Sequence, residues 1–166
     1  MTELNFDEIK DGHQFEELAA EYFRSLKDIP GCLVQLVGVG QDGGKDILYE
    51  FHVTDLIKST TRRWVIQCKF SKKNVSVPDL GGISIKDLIA SHDACGYLLI
   101  CRSRPTSGLH DHFDRLTKNC RDGYHYEIWT GEQFKQKLLL APETLHQQFF
   151  PKYFDYLASR PKKSEQ

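Results

Sequence analysis

Between Trp64 and Phe70 apolar and polar residues alternate with a period of two. Trp64, Ile66, Cys68 and Phe70 fall on one side, and Val65, Gln67 and Lys69 on the other. The spacing predicts a strand that projects Gln67 and Lys69 from one face, about 7 Å apart at ~3.3 Å rise per residue. Two earlier runs are also β-prone, Cys32 to Val39 and Lys45 to Phe51, separated by the turn residues Gln41-Asp42-Gly43-Gly44. His52 to Arg63 reads as a polar connector, a long hairpin loop ending at Arg62-Arg63. Three strands joined in this way form an antiparallel meander. Ahead of them Phe15, Leu18, Ala19, Tyr22, Phe23 and Leu26 recur at helical spacing, with Asp11 as the cap and Gln14 in capping-box position. Pro30-Gly31 stops that helix.

Downstream, Asp79 is expected to cap a helix running to about Ser91. Gly96 to Cys101 is a continuous apolar run, as in a strand covered on both faces. A helix over Ser107 to about Asn119 follows, then a strand over Tyr124 to Trp129. Thr130, with Gln133 three residues on, opens a helix through Leu140, and a last helix runs from Pro142 to about Leu157. A meander followed by crossover units predicts an α/β fold: a mixed central sheet with helices on both faces. No internal repeat or linker divides the chain. Residues 1–10 read as an N-terminal lead-in, 11–158 as one domain and 159–166 as a polar C-terminal tail.

At 166 residues the chain is long enough to bury a sizeable core. A formal charge of −1 excludes a whole-molecule field toward nucleic acid or membrane, so any electrostatic footprint is local. No apolar run approaches the ~20 residues that span a bilayer, and the N-terminus lacks a secretory pattern. Five cysteines without a Cys-x-x-Cys spacing point to reduced thiols filling the core of a cytoplasmic protein, and a zinc site is not indicated.

The chemistry concentrates between Gly43 and Lys69. Asp46 follows a glycine pair, and Gln67 and Lys69 share a strand face. An acid, a polar oxygen and a lysine converging on one sheet face is the layout of a metal-assisted phosphodiesterase. Such a reaction needs a divalent cation to neutralise phosphate and lower the pKa of a bound water. It needs hard oxygen ligands of the kind magnesium prefers, and a fixed positive charge to orient the water or stabilise the phosphate. Asp46 supplies a carboxylate, Gln67 an amide oxygen, Cys68 a backbone carbonyl and Lys69 the ammonium. Glu16 could reach the same metal if the first helix packs on the sheet, with Glu17 the alternative if that helix is rotated by one residue. Taken singly, a Gly-Gly-Lys-Asp turn is only a turn, and a lysine beside a glutamine on a strand usually faces solvent. Their combination in this order carries the argument.

Phe15-Glu16-x-Leu18 on a first helix, Gly43-Gly44-x-Asp46, and Gln67-x-Lys69 on a strand together resemble the Mrr-type restriction endonucleases. These form a branch of the PD-(D/E)XK nuclease superfamily in which glutamine takes the second acidic position. The resemblance covers roughly residues 12–130. It implies the restriction-endonuclease-like αβββαβ core and a magnesium-dependent DNA endonuclease, with manganese as a substitute ion. It further implies metal-site roles for Asp46 and Gln67, the catalytic lysine in Lys69 and an auxiliary acid in Glu16. The second carboxylate is missing, which implies weaker cation binding than at a two-acid site. Nucleases of this branch resemble the cleaving modules of restriction and phage-defence systems, joined to a sensor or ATPase and often cutting as homo-oligomers. The alternative is a nuclease-derived DNA-binding or protein-interaction module that no longer hydrolyses.

From Leu56 to Pro78 there are six basic residues and no acid: Lys58, Arg62, Arg63, Lys69, Lys72 and Lys73. Arg62, Arg63, Lys72 and Lys73 are the candidate DNA contacts, through salt-sensitive phosphate binding. Arg102 and Arg104 form a second candidate pair. The seven histidines show no metal-ligand spacing, and the glycine-rich turn lacks the phosphate-loop order.

Overall fold

The alternation at Trp64–Phe70 is realised in a longer strand, β3 (Ser59–Lys69), at the centre of a five-stranded sheet of order β1-β2-β3-β4-β5. β1 (Leu33–Val37) pairs antiparallel with β2 (Asp46–Thr54), and β2 pairs antiparallel with β3. β4 (Gly96–Cys101) and β5 (His125–Trp129) continue the sheet in parallel. This computed structural model describes residues 3–26, 28–38, 46–82, 84–119 and 121–161. Val39 to Lys45, with the predicted Gly43-Gly44 turn, lies outside the described residues.

The two sheet faces bury separate cores, as the strand alternation requires. On one face Ile47, Tyr49, Ile66, Leu98 and Ile100 meet Phe15, Leu18, Ala19 and Phe23 of α1 (Gly12–Arg24) and Phe134 and Leu138 of α4 (Gly131–Leu139). On the other, Leu48, Val65, Tyr97 and Leu99 meet Ile85 and Ile89 of α2 (Ile85–Ser91) and Leu109 and Phe113 of α3 (Ser107–Lys118). The expected mixed α/β sandwich is therefore what forms. Leu4, Phe6 and Ile9 of the lead-in are buried in the α1-side core, where Phe6 packs edge-on to Phe15 at 5.4 Å between ring centres. No helix among the described residues is long and apolar enough to cross a membrane.

Four local expectations are corrected. His52–Arg63 is not a loop: β2 continues to Thr54 and β3 starts at Ser59, around a tight turn in which Asp55 accepts from the Ile57 and Lys58 amides at 2.7 and 2.9 Å. Most of this ribbon is exposed, so backbone pairing and β-prone threonines hold it without an apolar side, and hydropathy gives no signal. Asp79 does not open a long helix. It accepts from the Ser76 amide and hydroxyl at 2.8 and 2.9 Å in a 3-10 turn over Val77–Leu80. Gly81 and Gly82, at φ 73° and 69°, then break the chain, and Ser84 caps α2 instead. The last helix is two, α5 (Glu143–Phe149) and α6 (Pro151–Ser159), because Pro151 has no N–H and holds Phe150 out of the helical region at φ −132°, ψ 61°. Asp11 caps α1 as expected, but the Gln14 side chain accepts from the Lys10 amide at 2.5 Å rather than from Asp11.

Two loops at the ends of β3 and β4 are locked together. The Val75 amide donates to Arg104 O, the Thr106 amide to Val75 O, and Ser103 Oγ to Lys73 O, at 2.8, 2.8 and 2.6 Å. Gly131 supports the same loop: its amide donates to Ser103 O at 2.8 Å, and a Cβ there would stand 1.8 Å from Arg102 O. Gly131→Ala is therefore expected to cost about 2–3 kcal/mol by overpacking against backbone. A fall in the urea midpoint checks this; an unchanged midpoint would show that the loop yields freely.

Candidate active site

The β2–β3 register sets Ile47 opposite Ile66, so the next pair outward is Asp46 and Gln67. Both side chains alternate to the α2–α3 face, with Leu48 and Val65. There Gln67 Nε2 donates to Asp46 Oδ1 at 2.8 Å. Lys69, two residues on and on the same face, is the last residue of β3. Its carbonyl accepts from the Arg102 amide at 2.9 Å on the β4 side. By strand alternation the Cys68 carbonyl turns the other way, toward β2. Asp46, Gln67, the Cys68 carbonyl and Lys69 are thus brought to one end of the sheet.

Two further residues complete this cluster, and neither was found from the sequence. Tyr97 of β4 donates its hydroxyl to Gln67 Oε1 at 2.7 Å. Its ring is fully buried, and burial, followed by the charge of Asp46, pushes the phenol well above its ordinary pKa, so it stays a neutral hydroxyl. The available signal was a tyrosine in an otherwise aliphatic run, since a buried phenol wants a partner. His92, at the C-terminal end of α2, holds Nε2 3.5 Å from Asp46 Oδ2. It is fixed there through its own carbonyl, which accepts from Arg63 at 2.7 Å. No spacing in the sequence announces it, because the contact depends on how α2 docks. Both oxygens of Asp46 therefore face a side-chain nitrogen.

Glu16 is 8% exposed and Glu17 is exposed, so Glu16 is the one turned into the protein. It belongs to the α1 side of the sheet. Its neighbours include His13, with Nδ1 3.8 Å from Glu16 Oε2, and Cys68, whose side chain alternates away from Gln67 and Lys69. Burial raises the Cys68 thiol far above its usual pKa, and the Glu16 charge adds to that. Cys101 behaves alike, pushed up to about 12 by burial.

The basic residues divide. Arg63 pairs with Glu50 at 2.8 Å and holds the His92 carbonyl, so its guanidinium is committed to the fold, whereas Arg62 is exposed. Lys72 and Lys73 are exposed beside Lys69, with Lys72 Nζ 3.8 Å from Asp7 Oδ1. Arg102 is 13% exposed, pairs with Asp7 and lies 4.4 Å over the Phe70 ring, a packing role. Asp79 stands near this group: hydrogen bonds from Ser76 hold its carboxyl below the usual range, and the Lys69 and Lys73 charges add to that.

Among the described residues no three His, Cys, Asp or Glu side chains gather in a way that could hold a metal. The donors at the sheet end are a carboxylate, an amide and a main-chain carbonyl. The oxygens of that set suit a hard divalent ion such as Mg2+ or Mn2+, not zinc, although the Gln67 oxygen is here turned to Tyr97.

The Mrr_cat family model, described as restriction endonuclease, matches residues 8–136, and the chain belongs to that family of nucleases. Among curated proteins none matches it. Among solved structures it is similar to the DNA modification-dependent restriction endonuclease AspBHI, at 16% sequence identity and a TM-score of 0.54. The likeness covers 87% of this chain and 35% of that one, and establishes the restriction-endonuclease-like fold. The chain spans about a third of the length of that relative.

Gln67→Glu tests the Asp46–Gln67 contact on its own terms. It replaces a donated hydrogen bond with a second carboxylate, and without divalent cations at neutral pH it should cost about 1–3 kcal/mol. Facing Asp46, one of the two carboxyls has its pKa raised, so the pair regains stability as pH falls and a proton is shared. Thermal melts in EDTA across that range check this; a variant as stable as wild type at neutral pH would contradict it.

Proposed function

We propose that this chain is a magnesium-dependent DNA endonuclease, the cleaving module of a restriction or phage-defence system. The observation that carries the proposal is the placement of Asp46, Gln67 and Lys69 at one end of one sheet face, beside an exposed basic loop. Asp46, the Gln67 amide oxygen and the Cys68 carbonyl would hold the cation. When bound, Mg2+ supplies Lewis acidity toward the phosphate and lowers the pKa of a water. Lys69 sets its ammonium where charge builds on the phosphate, which favours the transition state over the ground state. Glu16, on the other face, is the auxiliary acid approached round the sheet end. Lys72, Lys73 and Arg62 hold backbone phosphates without reading sequence.

Membership of the restriction endonuclease family supports the nuclease reading, and the likeness in fold to AspBHI, a DNA modification-dependent restriction endonuclease, supports DNA as the substrate. This fold occupies 35% of that relative, which supports a cleaving module working with a recognition or regulatory part. Self-association, to cut both strands, and a cytoplasmic location belong to the same proposal.

Plasmid nicking tests it. Wild type should nick supercoiled DNA with Mg2+ and not with EDTA, and Asp46→Ala and Lys69→Ala should each lose on the order of 100-fold or more. If all three leave the plasmid intact with Mg2+ and Mn2+ yet retard it on a gel, the chain is a binding module and the enzyme reading fails.

A further inference from the structure

The Gln67 side chain sits between two partners of different chemistry. A carboxylate only accepts hydrogen bonds, so the Gln67 atom facing Asp46 Oδ1 at 2.8 Å must be the amide nitrogen. The oxygen is thereby turned inward, to the Tyr97 hydroxyl at 2.7 Å. This orientation is opposite to the one a shared cation requires. An amide nitrogen has no lone pair to offer a hard cation, so ligation beside Asp46 needs the amide oxygen on the Asp46 side.

The two orientations have the same shape and interconvert by rotation about the terminal torsion, which is broad and nearly two-fold. What differs is the demand on the inner partner. It must donate to the amide oxygen in one state and accept from the amide N–H in the other. A lysine could only donate and a carboxylate could only accept, whereas a phenol does both. Tyr97 is fully buried and packed against Phe113, with ring centres 5.9 Å apart, so its hydroxyl stays in place while the amide turns.

We infer that Tyr97 is a positioning residue that acts through Gln67, a fixed pivot that lets the Gln67 amide clasp Asp46 without a cation and turn its oxygen outward when one binds. The inference rests on the metal-dependent reading above and adds to it a defined resting state. In the structure Asp46 has Oδ1 taken by Gln67, and Oδ2 lies 3.5 Å from His92 Nε2. The metal site is therefore assembled by its cation, not preformed. The glutamine lacks the negative charge of a second acid, but it also gives Asp46 a neutral partner instead of a repelling one.

Nuclear magnetic resonance of the whole chain, without DNA, reads this directly. The Gln67 side-chain amide pair is identified by its loss in Gln67→Glu. Without divalent cations its protons should show contacts to the Asp46 β-protons. At saturating Mg2+ these should be replaced by contacts to the Tyr97 ring protons. In Tyr97→Phe, which keeps the packing and should leave the circular dichroism unchanged, the Mg2+-loaded amide protons should exchange with water several-fold faster than in wild type. Persistence of the Asp46 contacts at saturation, with backbone resonances around Asp46 and Lys69 shifted by Mg2+, would overturn the pivot while leaving the metal reading intact. If Mg2+ shifts no resonance near Asp46 or Lys69, the metal reading fails and the pivot with it.

Discussion

The register of β2 against β3 is the constraint on which this molecule depends. Ile47 opposite Ile66 brings Asp46 beside Gln67, and the same pairing sends Tyr49 and Ile66 into one core and Leu48 and Val65 into the other. A slip of one residue would exchange the two faces of β2. It would turn Asp46 toward the phenylalanines of α1 and push Ile47 to the sheet end, so the burial that stabilises the sheet also places the polar pair. Parallel pairing of β3 with β4 extends the logic: Val65 lies opposite Tyr97, and the Tyr97 hydroxyl thereby reaches Gln67 one step along the face.

Much of this was legible in the chain. Period-two alternation put Gln67 and Lys69 on a common face because a pleated strand leaves little freedom in side-chain direction. Thr130 with Gln133 marked a helix start, and both capping hydrogen bonds form, at 2.9 and 3.2 Å. What escaped reading was decided by docking or by single breakers. The ribbon past Phe51 is polar because water covers it, so it resembles a loop. Asp79 has the residue type of a helix cap but spends its oxygen on Ser76, and the glycines at 81 and 82 decide where α2 begins. His92 and Tyr97 reach Asp46 and Gln67 through tertiary packing, which no local spacing encodes. Helical period left Glu16 and Glu17 as alternatives; the burial of Glu16 separates them, and the face of the sheet it meets follows from the packing of α1.

The residues around the site show why a single carboxylate is tolerated. A lone acid at a sheet end, partly buried, would leave a desolvated charge in need of partners. Here Gln67 donates to one oxygen and His92 stands beside the other, and Arg63, paired with Glu50 on the same face of the sheet, holds the His92 carbonyl. The same arrangement keeps like charge away from Asp46, while Lys69, Lys72 and Lys73 lie at the strand's end, where the proposed DNA contact falls. Family membership fixes the nuclease lineage.

The central claim is that Asp46 and Gln67 share one divalent cation at the end of β3. Anomalous diffraction from crystals soaked in Mn2+ tests it most directly. The account predicts one strong peak at coordination distance from an Asp46 oxygen and Gln67 Oε1, with the Cys68 carbonyl alongside. A peak elsewhere, or Asp46 still clasped by the Gln67 amide nitrogen in crystals that bind Mn2+, would contradict it.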